Sequence, residues 1–459
     1  MTRTLAYLAQ VTGGRLQGQD AAFEGVSIDS RIVPAGALFV ALRGPNFDGH
    51  AFAADALKQG AAALLVEHSL SVDLPQVIVP DTVAALTRFA SEWRRRFSLP
   101  LVGVTGSNGK TTTKEMLGTI LAREGSCLAT RGNLNNHLGV PLMLLELESS
   151  YRSAVIEMGA NHGGEIAHLA TIAQPTVGLV TNAGAAHLEG FGSLDGVARG
   201  KGEMFAALAG RGTAVINADD AYAPLWKELA GSSRALTFGI DAVADVVARD
   251  VRLEAGPSGF RSSFDLVMPA GVRTVTLQLG GLHNVRNALG AATAASAAGA
   301  SFDNIVAGLA QVRPVAGRLD LRPARHGALL VDDSYNANPT SLRAGLEAFR
   351  SLPGRRWLVL GEMREGGASA DEQHAEVGRF ARTSGVDRLF AIGARARIAV
   401  DAFGSGAEWF ADLDALIAAV EAGLEPGVTL LIKGSRSNRL ERVSAALGAE
   451  SALAAGRGH

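Results

Sequence analysis

The stretch Gly106-Ser107-Asn108-Gly109-Lys110-Thr111-Thr112 gathers two glycines, a lysine and hydroxyl side chains into one short run. Gly106 and Gly109 permit the tight turn that lets successive backbone N–H groups face an anion. Lys110 would reach the outer phosphates of a nucleotide, and the Thr111 hydroxyl would sit on Mg²⁺. The spacing departs from G-x-x-x-x-G-K-[ST], which needs four residues between its glycines. Here Gly106 and Gly109 are separated by two residues, and Gly103 and Gly109 by five. A glycine turn before an ordinary helix is the bland alternative, and the complete strand, turn and helix context outweighs it.

Further candidates fall after apolar runs, where open α/β sheets bind their ligands. Glu157 ends the run from Ala154 and could hold Mg²⁺ directly or through water. Asn182 and His187 follow the run Thr176–Thr181. Lys201 would share a helix face with Val197, Met204, Phe205 and Leu208, so it is either snorkelling or functional. One asparagine-rich loop holds Asn133, Asn135 and Asn136; another holds Asp333, Ser334, Tyr335, Asn336 and Asn338. Turn chemistry explains many such residues, and strand-end acids are often caps. A loop histidine is more often a hydrogen-bonding group than a ligand. Combination with a phosphate loop shifts the odds for Glu157 and His187 upward, and the neutral amides on the two loops could equally read a polar substrate.

The elements that must position these groups are legible as three segments. Residues 1–98 hold short strands and helices, including the strand Ala37–Leu42 and the amphipathic stretch "LTRFASEWRRRFS". Residues 99–312 alternate strand and helix, the pattern of a mostly parallel sheet. Their strands are expected at Leu101–Thr105, Ala154–Glu157, Thr176–Thr181 and Thr213–Asn217, with a β-rich insertion near Leu236–Leu279. An alanine-rich helix, "HNVRNALGAATAASAAGA", follows. Residues 313–459 alternate again, with strands Trp357–Gly361, Arg388–Gly393 and Val428–Gly434. That segment has a Rossmann-like pattern without G-x-G-x-x-G, so NAD has little support. The fold class is therefore α/β in three domains.

Composition narrows the function. A formal net charge of −2 argues against a general nucleic-acid binder. The single cysteine, Cys127, allows no intrachain disulfide and fits a reducing compartment. Neither a signal-peptide core nor a membrane-spanning run is found. A soluble cytoplasmic protein that acts as a monomer is expected, with no nucleic-acid or membrane partner.

The residues also resemble the Mur ligases, ATP-dependent amide-forming enzymes of peptidoglycan synthesis. The resemblance spans all three segments through "DSR…GALFVALRGPNFDGH", "TGSNGKTTTKEM", "GNLNNHLGVP", "IEMGANHGGEI", "AHLEGFGS…ARGKGE", "GLHNVRNALGA", "PVAGRLD", "DDSYNANP" and "LIKGSRS". The "GNLNN", "GANHGGEI" and "KGSRS" stretches look specific to the D-alanyl-D-alanine-adding branch. The shorter loop spacing is then how this family writes its phosphate loop.

The resemblance implies a UDP-binding first domain, a central ATP-binding domain and a Rossmann-like third domain. It implies that ATP phosphorylates the carboxylate ending a UDP-N-acetylmuramoyl-tripeptide and that D-Ala-D-Ala attacks the acyl phosphate. By matching position, Gly106, Ser107, Asn108, Gly109, Lys110, Thr111 and Thr112 hold the ATP phosphates. Thr111 and Glu157 would serve one Mg²⁺, and His187 with a carbamylated Lys201 a second. Asn284 and Asn287 lie near the nucleotide, while Arg318 and Asp333 close over it from the third domain. Asp29, Ser30 and Arg31 belong to the UDP-binding domain. Asn135, Asn136, Asn336, Lys433, Ser435 and Arg436 are substrate candidates. One departure is Gly366, where the family usually has Leu in a Glu-Leu-Gly stretch; it leaves the role of this loop, including Arg364, open.

Rival readings are a ligase adding a single diamino acid, a folylpolyglutamate-synthetase-like ligase, and a phosphate-loop switch without ligase activity. The Asp-Asn-Pro-Arg string usual in the first is missing here. The second shares the phosphate loop but not "GNLNN". The candidate metal set Glu157, His187 and Lys201 argues against the third. The identity of the substrate's third residue, diaminopimelate or lysine, is not written in the sequence.

Overall fold

A computed structural model describes residues 3–256 and 259–449. Positions 1–2 and 450–459 of the expected outer segments, and 257–258 of the insertion, lie outside the described residues. The chain forms three α/β layers, each built on its own main sheet.

The first sheet has five strands in the order Arg15–Gln17, Gln76–Ile78, Ala63–Val66, Leu38–Val40 and Val26–Ser27. Only the first pair is antiparallel. The helix Thr82–Arg94 leads out of this layer, with Asp81 accepting from the Val83 and Ala84 amides at its N-terminus. Its buried face, including Ala85, Leu86, Phe89 and Trp93, belongs to a core that continues into the middle segment. Trp93 Nε1 donates to Leu147 O, and Arg94 Nε donates to Ala173 O. These bonds make the first two layers one packed body.

The middle sheet has nine strands. Their order is Cys127–Ala129, Ser153–Glu157, Leu101–Thr105, Val177–Val180, Thr213–Asn217, Arg234–Gly239, Val246–Gly256, Gly259–Met268 and Gly271–Leu277. The first seven run parallel. The last three form an antiparallel meander, which is the expected β-rich insertion. Leu101–Thr105 is completely buried, as its continuous apolar run requires. It lies between strands that come later in the chain, so the order reverses beside it, and the phosphate loop leaves its carboxyl end.

The third sheet has six strands: Asp320–Pro323, Leu329–Asp333, Val428–Lys433, Arg355–Gly361, Arg388–Ile392 and Ala407–Phe410. All neighbours are parallel except the first pair. Phe260, on the insertion's meander, is buried in the core of this layer with Leu319, Leu346 and Phe349. The insertion thus anchors the third layer to the middle one. Among the described residues no helix is long and apolar enough to cross a membrane.

Candidate active site

Gly106 and Gly109 have φ of 140° and 82°, conformations that suit glycine. Space is equally restrictive. A Cβ on Gly106 would lie 2.0 Å from Thr181 Oγ1, and one on Gly109 would lie 2.3 Å from Asn287 Oδ1. The loop is strapped to the next strand end: Ser107 N donates to Asn182 O, and Asn108 N donates to Asn182 Oδ1. The helix Lys110–Leu121 begins directly after Gly109, aiming its free N–H groups at the loop. Lys110 Nζ donates to Gly106 O at 2.6 Å and to Ser107 O at 3.3 Å. Desolvation pulls its pKa below the usual lysine range, and Arg318 adds to that while Glu157 opposes it.

The loop faces a cavity of about 630 Å³. Its walls come from two layers: Lys110, Thr111 and Glu157 from the middle, and Arg318, Tyr335 and Asn336 from the third. Glu157 is 3% exposed at the end of Ser153–Glu157, paired in register with Val104 just before the loop. Its Oε1 accepts from Asn135 Nδ2 at 2.8 Å, and its Oε2 is buried without a hydrogen-bond partner. A buried carboxylate oxygen left over beside a phosphate loop suits Mg²⁺, which takes oxygen ligands from one or two carboxylates plus substrate phosphates. Among the described residues no group of three or more His, Cys, Asp or Glu is placed to hold a metal by itself.

Lys201 lies on the helix Leu194–Ala206, capped by the Ser193 hydroxyl, and is fully buried. Its neighbours Val197, Met204 and Phe205 are buried too, so it does not snorkel; Leu208 lies beyond the end of that helix. Nζ donates to Ala160 O at 3.0 Å and lies 4.9 Å from the Phe191 ring centroid. Desolvation, reinforced by Lys110, pulls its pKa to about 7.

His187 lines the cavity, with backbone in the left-handed region at φ 56°. Glu365 Oε2 approaches its Nδ1 to 2.5 Å from the third layer, without satisfying hydrogen-bond alignment. Sequence reasoning left this loop open, and Arg364 and Glu365 both line the cavity. The Gly366 departure has a local cause. A Cβ there would meet Gln373 Oε1 at 2.8 Å and Ala370 Cα at 3.0 Å, so a larger residue would require the Gln373 side chain to move and the turn to give slightly.

Other candidates are placed less directly. Asn135 and Asn136 line the cavity, but the Asn136 side chain accepts from the Leu138 and Gly139 amides, which is turn chemistry. Asn287 Nδ2 donates to Asn284 Oδ1 behind Gly109. Arg318 lies 4.0 Å over the Tyr335 ring, with Nη2 3.5 Å from Thr111 Oγ1. Asp333 and Lys433 are buried and paired at 2.6 Å, outside the cavity wall. Burial pushes the carboxyl up and the ammonium down, and each charge opposes the other's neutralisation. Ser435 Oγ accepts from Arg364 N, and Arg436 reaches the Tyr335 hydroxyl at 3.4 Å. Asp29 and Arg31 pair with each other in the first layer and, with Ser30, lie away from this cavity. Thr112 is in the first turn of the loop helix.

Known proteins share both the architecture and the sequence. Three family profiles match: "Mur ligase family, catalytic domain" over residues 22–93, "Mur ligase middle domain" over 104–295, and "Mur ligase, glutamate ligase domain" over 317–436. The UDP-N-acetylmuramoyl-tripeptide–D-alanyl-D-alanine ligase of Escherichia coli (strain K12) is 43% identical over 97% of this chain and 98% of its own. A crystal structure of MurF from Acinetobacter baumannii matches with a TM-score of 0.90 at 36% identity, over 97% of this chain and 98% of that one. MurF from Thermotoga maritima, solved with ADP, matches with a TM-score of 0.79 at 30% identity, over 92% and 96%. Profiles covering all three segments and relatives matched along nearly the whole length show that this chain belongs to the Mur ligase family.

Proposed function

We propose that this protein joins D-Ala-D-Ala to the carboxylate ending a UDP-N-acetylmuramoyl-tripeptide at the expense of ATP. The observation that carries this reading is the shared cavity, where Lys110, Thr111 and Glu157 of the middle layer face Arg318, Tyr335 and Asn336 of the third. High-coverage relatives that bear this enzyme's name support the choice of substrates, and an ADP-bound relative supports ATP.

A carboxylate is a poor acyl donor. Attack of its oxygen on the γ-phosphorus gives an acyl phosphate and ADP. The dipeptide amine then attacks the carbonyl carbon, and phosphate leaves as the amide forms. Two anions must approach in the first step, so charge must be spread over fixed donors. The loop amides and Lys110 bind the transferring phosphates, and Arg318 approaches from the opposite wall. Thr111 and Glu157 would hold Mg²⁺, which would further neutralise phosphate charge. Asn135 orients Glu157 through its hydrogen bond. His187 and a carbamylated Lys201 are assigned to a second ion, and the Asp333–Lys433 pair to shaping the third-layer wall.

The protein acts in the cytoplasm as a monomer, without nucleic acid or membrane, and divides near residues 98 and 312. Phosphate release from ATP tests the substrate assignment. Release that requires both the tripeptide precursor and D-Ala-D-Ala supports it. Release with the dipeptide precursor and a diamino acid, or with a folate and glutamate, overturns it.

A further inference from the structure

We propose that Glu365 is a positioning residue that orients the His187 imidazole across the boundary between the third and middle layers, so that this side chain is set only when the layers are closed. The inference rests on the proposed function for the importance of His187, and extends it to a residue that function does not name.

Two features of the backbone single out this pair. His187 and Glu365 both occupy the left-handed region, at φ 56° and 68°. Such conformations are uncommon outside glycine and cost about 1–3 kcal/mol. Among the described non-glycine residues with positive φ, only these two line the cavity. They come from different layers, and Glu365 Oε2 lies 2.5 Å from His187 Nδ1. Chance strain gives no reason for both to meet there.

The loop carrying Glu365 is anchored by backbone and side-chain bonds in its own layer, and two residues on, Gly367 lies against Glu189 of the middle layer. Glu362 N donates to Ile392 O, and Asn438 Nδ2 donates to Glu362 O. Met363 N donates to His374 Nε2 at 3.0 Å, and Arg364 N donates to Ser435 Oγ at 2.9 Å. These anchors all lie within the third layer. With the loop so fixed, the Glu365 carboxylate is the charged group it brings to His187, at a ring nitrogen that is buried and lacks a hydrogen-bond partner. Even a fully charged, partly exposed pair contributes only about 0–1 kcal/mol, so stability alone gives little reason to hold a strained backbone here.

The chemistry follows from imidazole's two nitrogens. A carboxylate on Nδ1 favours the tautomer with hydrogen there, leaving the Nε2 lone pair for the cavity.

The test compares Glu365→Ala, Glu365→Gln, His187→Ala and the double variant Glu365→Ala/His187→Ala in the full chain. Glu365→Ala should lower kcat roughly 10- to 100-fold, the range seen when outer-shell partners are removed, with KM for ATP changed less than about threefold. Glu365→Gln keeps an acceptor oxygen and should recover much of the loss. The double variant should be no slower than His187→Ala alone, because the two residues act as one unit. Near-normal kcat in either single alanine variant, or losses that multiply in the double variant, overturns the proposal. ¹⁵N spectra of His187 with a non-hydrolysable ATP analogue give a second readout. Wild type should show protonated Nδ1, and Glu365→Ala should lose that preference; an identical tautomer in both overturns the proposal. Failure of wild type to form product would overturn the proposed function, and the tautomer would still decide the role of Glu365.

Discussion

Asn338 Nδ2 donates to Asn108 Oδ1 at 2.8 Å, joining the third layer to the phosphate loop across 230 positions of sequence. The same Asn338 caps the helix Pro339–Phe349, its Oδ1 accepting from Ser341 N at 2.8 Å. One amide therefore fixes a helix start with its oxygen and addresses the loop with its nitrogen. If the loop binds nucleotide as proposed, this contact links that binding to the third layer.

Asn338→Ser should keep a helix cap and lose the bond to Asn108. A single hydrogen bond contributes about 0.5–1.5 kcal/mol, so KM for ATP should rise roughly 2- to 12-fold. Small-angle scattering with an ATP analogue and substrate should show a less compact variant than wild type. Unchanged KM and scattering would separate this bond from closure.

Lys110→Ala should leave the fold intact by circular dichroism and remove most turnover. Loss of one preorganised electrostatic stabiliser costs about 2.7–4 kcal/mol, or roughly 10²–10³ in kcat. A variant retaining most of its kcat would take Lys110 out of the mechanism.

Lys201 is expected to carry a carbamate. Its Nζ has three donor positions but, among the described residues, one protein acceptor, Ala160 O, and burial favours the neutral amine that CO₂ requires. Lys201→Ala should lose activity and regain part of it with formate or acetate, whose oxygens replace the carbamate's. Full activity without rescue would contradict the modification.

His374 supplies a pH dependence away from the cavity. It is 1% exposed, donates to Ala370 O from Nδ1 and accepts Met363 N at Nε2, so the folded protein needs the neutral ring. Desolvation lowers its pKa in the folded state. The unfolded chain then binds the proton first as pH falls below about 6.5. Stability from this group is complete above that value and is lost as pH drops through the folded pKa. His374→Gln should flatten the acid side of the urea-midpoint profile relative to wild type. Parallel profiles would exclude His374 as the cause.

Much of the middle layer was legible in sequence because its signals are local. Leu101–Thr105 and Thr213–Asn217 fall where their apolar, β-branched runs place strands, and the phosphate loop follows from glycines, lysine and the helix behind them. Lys201 could be singled out because a lysine breaks an apolar stripe. Contacts made between layers leave no such trace. Nothing near Glu365 in the sequence indicates that it meets His187, and Asn338 reads as an ordinary cap until Asn108 is seen beside it. Asp333 was legible as a residue at a strand end and Lys433 only through the family resemblance, and neither reading shows them paired with each other. Phe260 looks like one more apolar strand residue, and only the fold shows it buried in the third layer.

The most direct test of the acyl-phosphate account is isotope transfer. The tripeptide precursor, labelled with ¹⁸O in its terminal carboxylate, is incubated with the protein, ATP, Mg²⁺ and D-Ala-D-Ala, and the released phosphate is analysed by mass spectrometry. The account predicts one ¹⁸O atom in each phosphate released from doubly labelled carboxylate, with the other retained in the new amide. Product formed with unlabelled phosphate would contradict it.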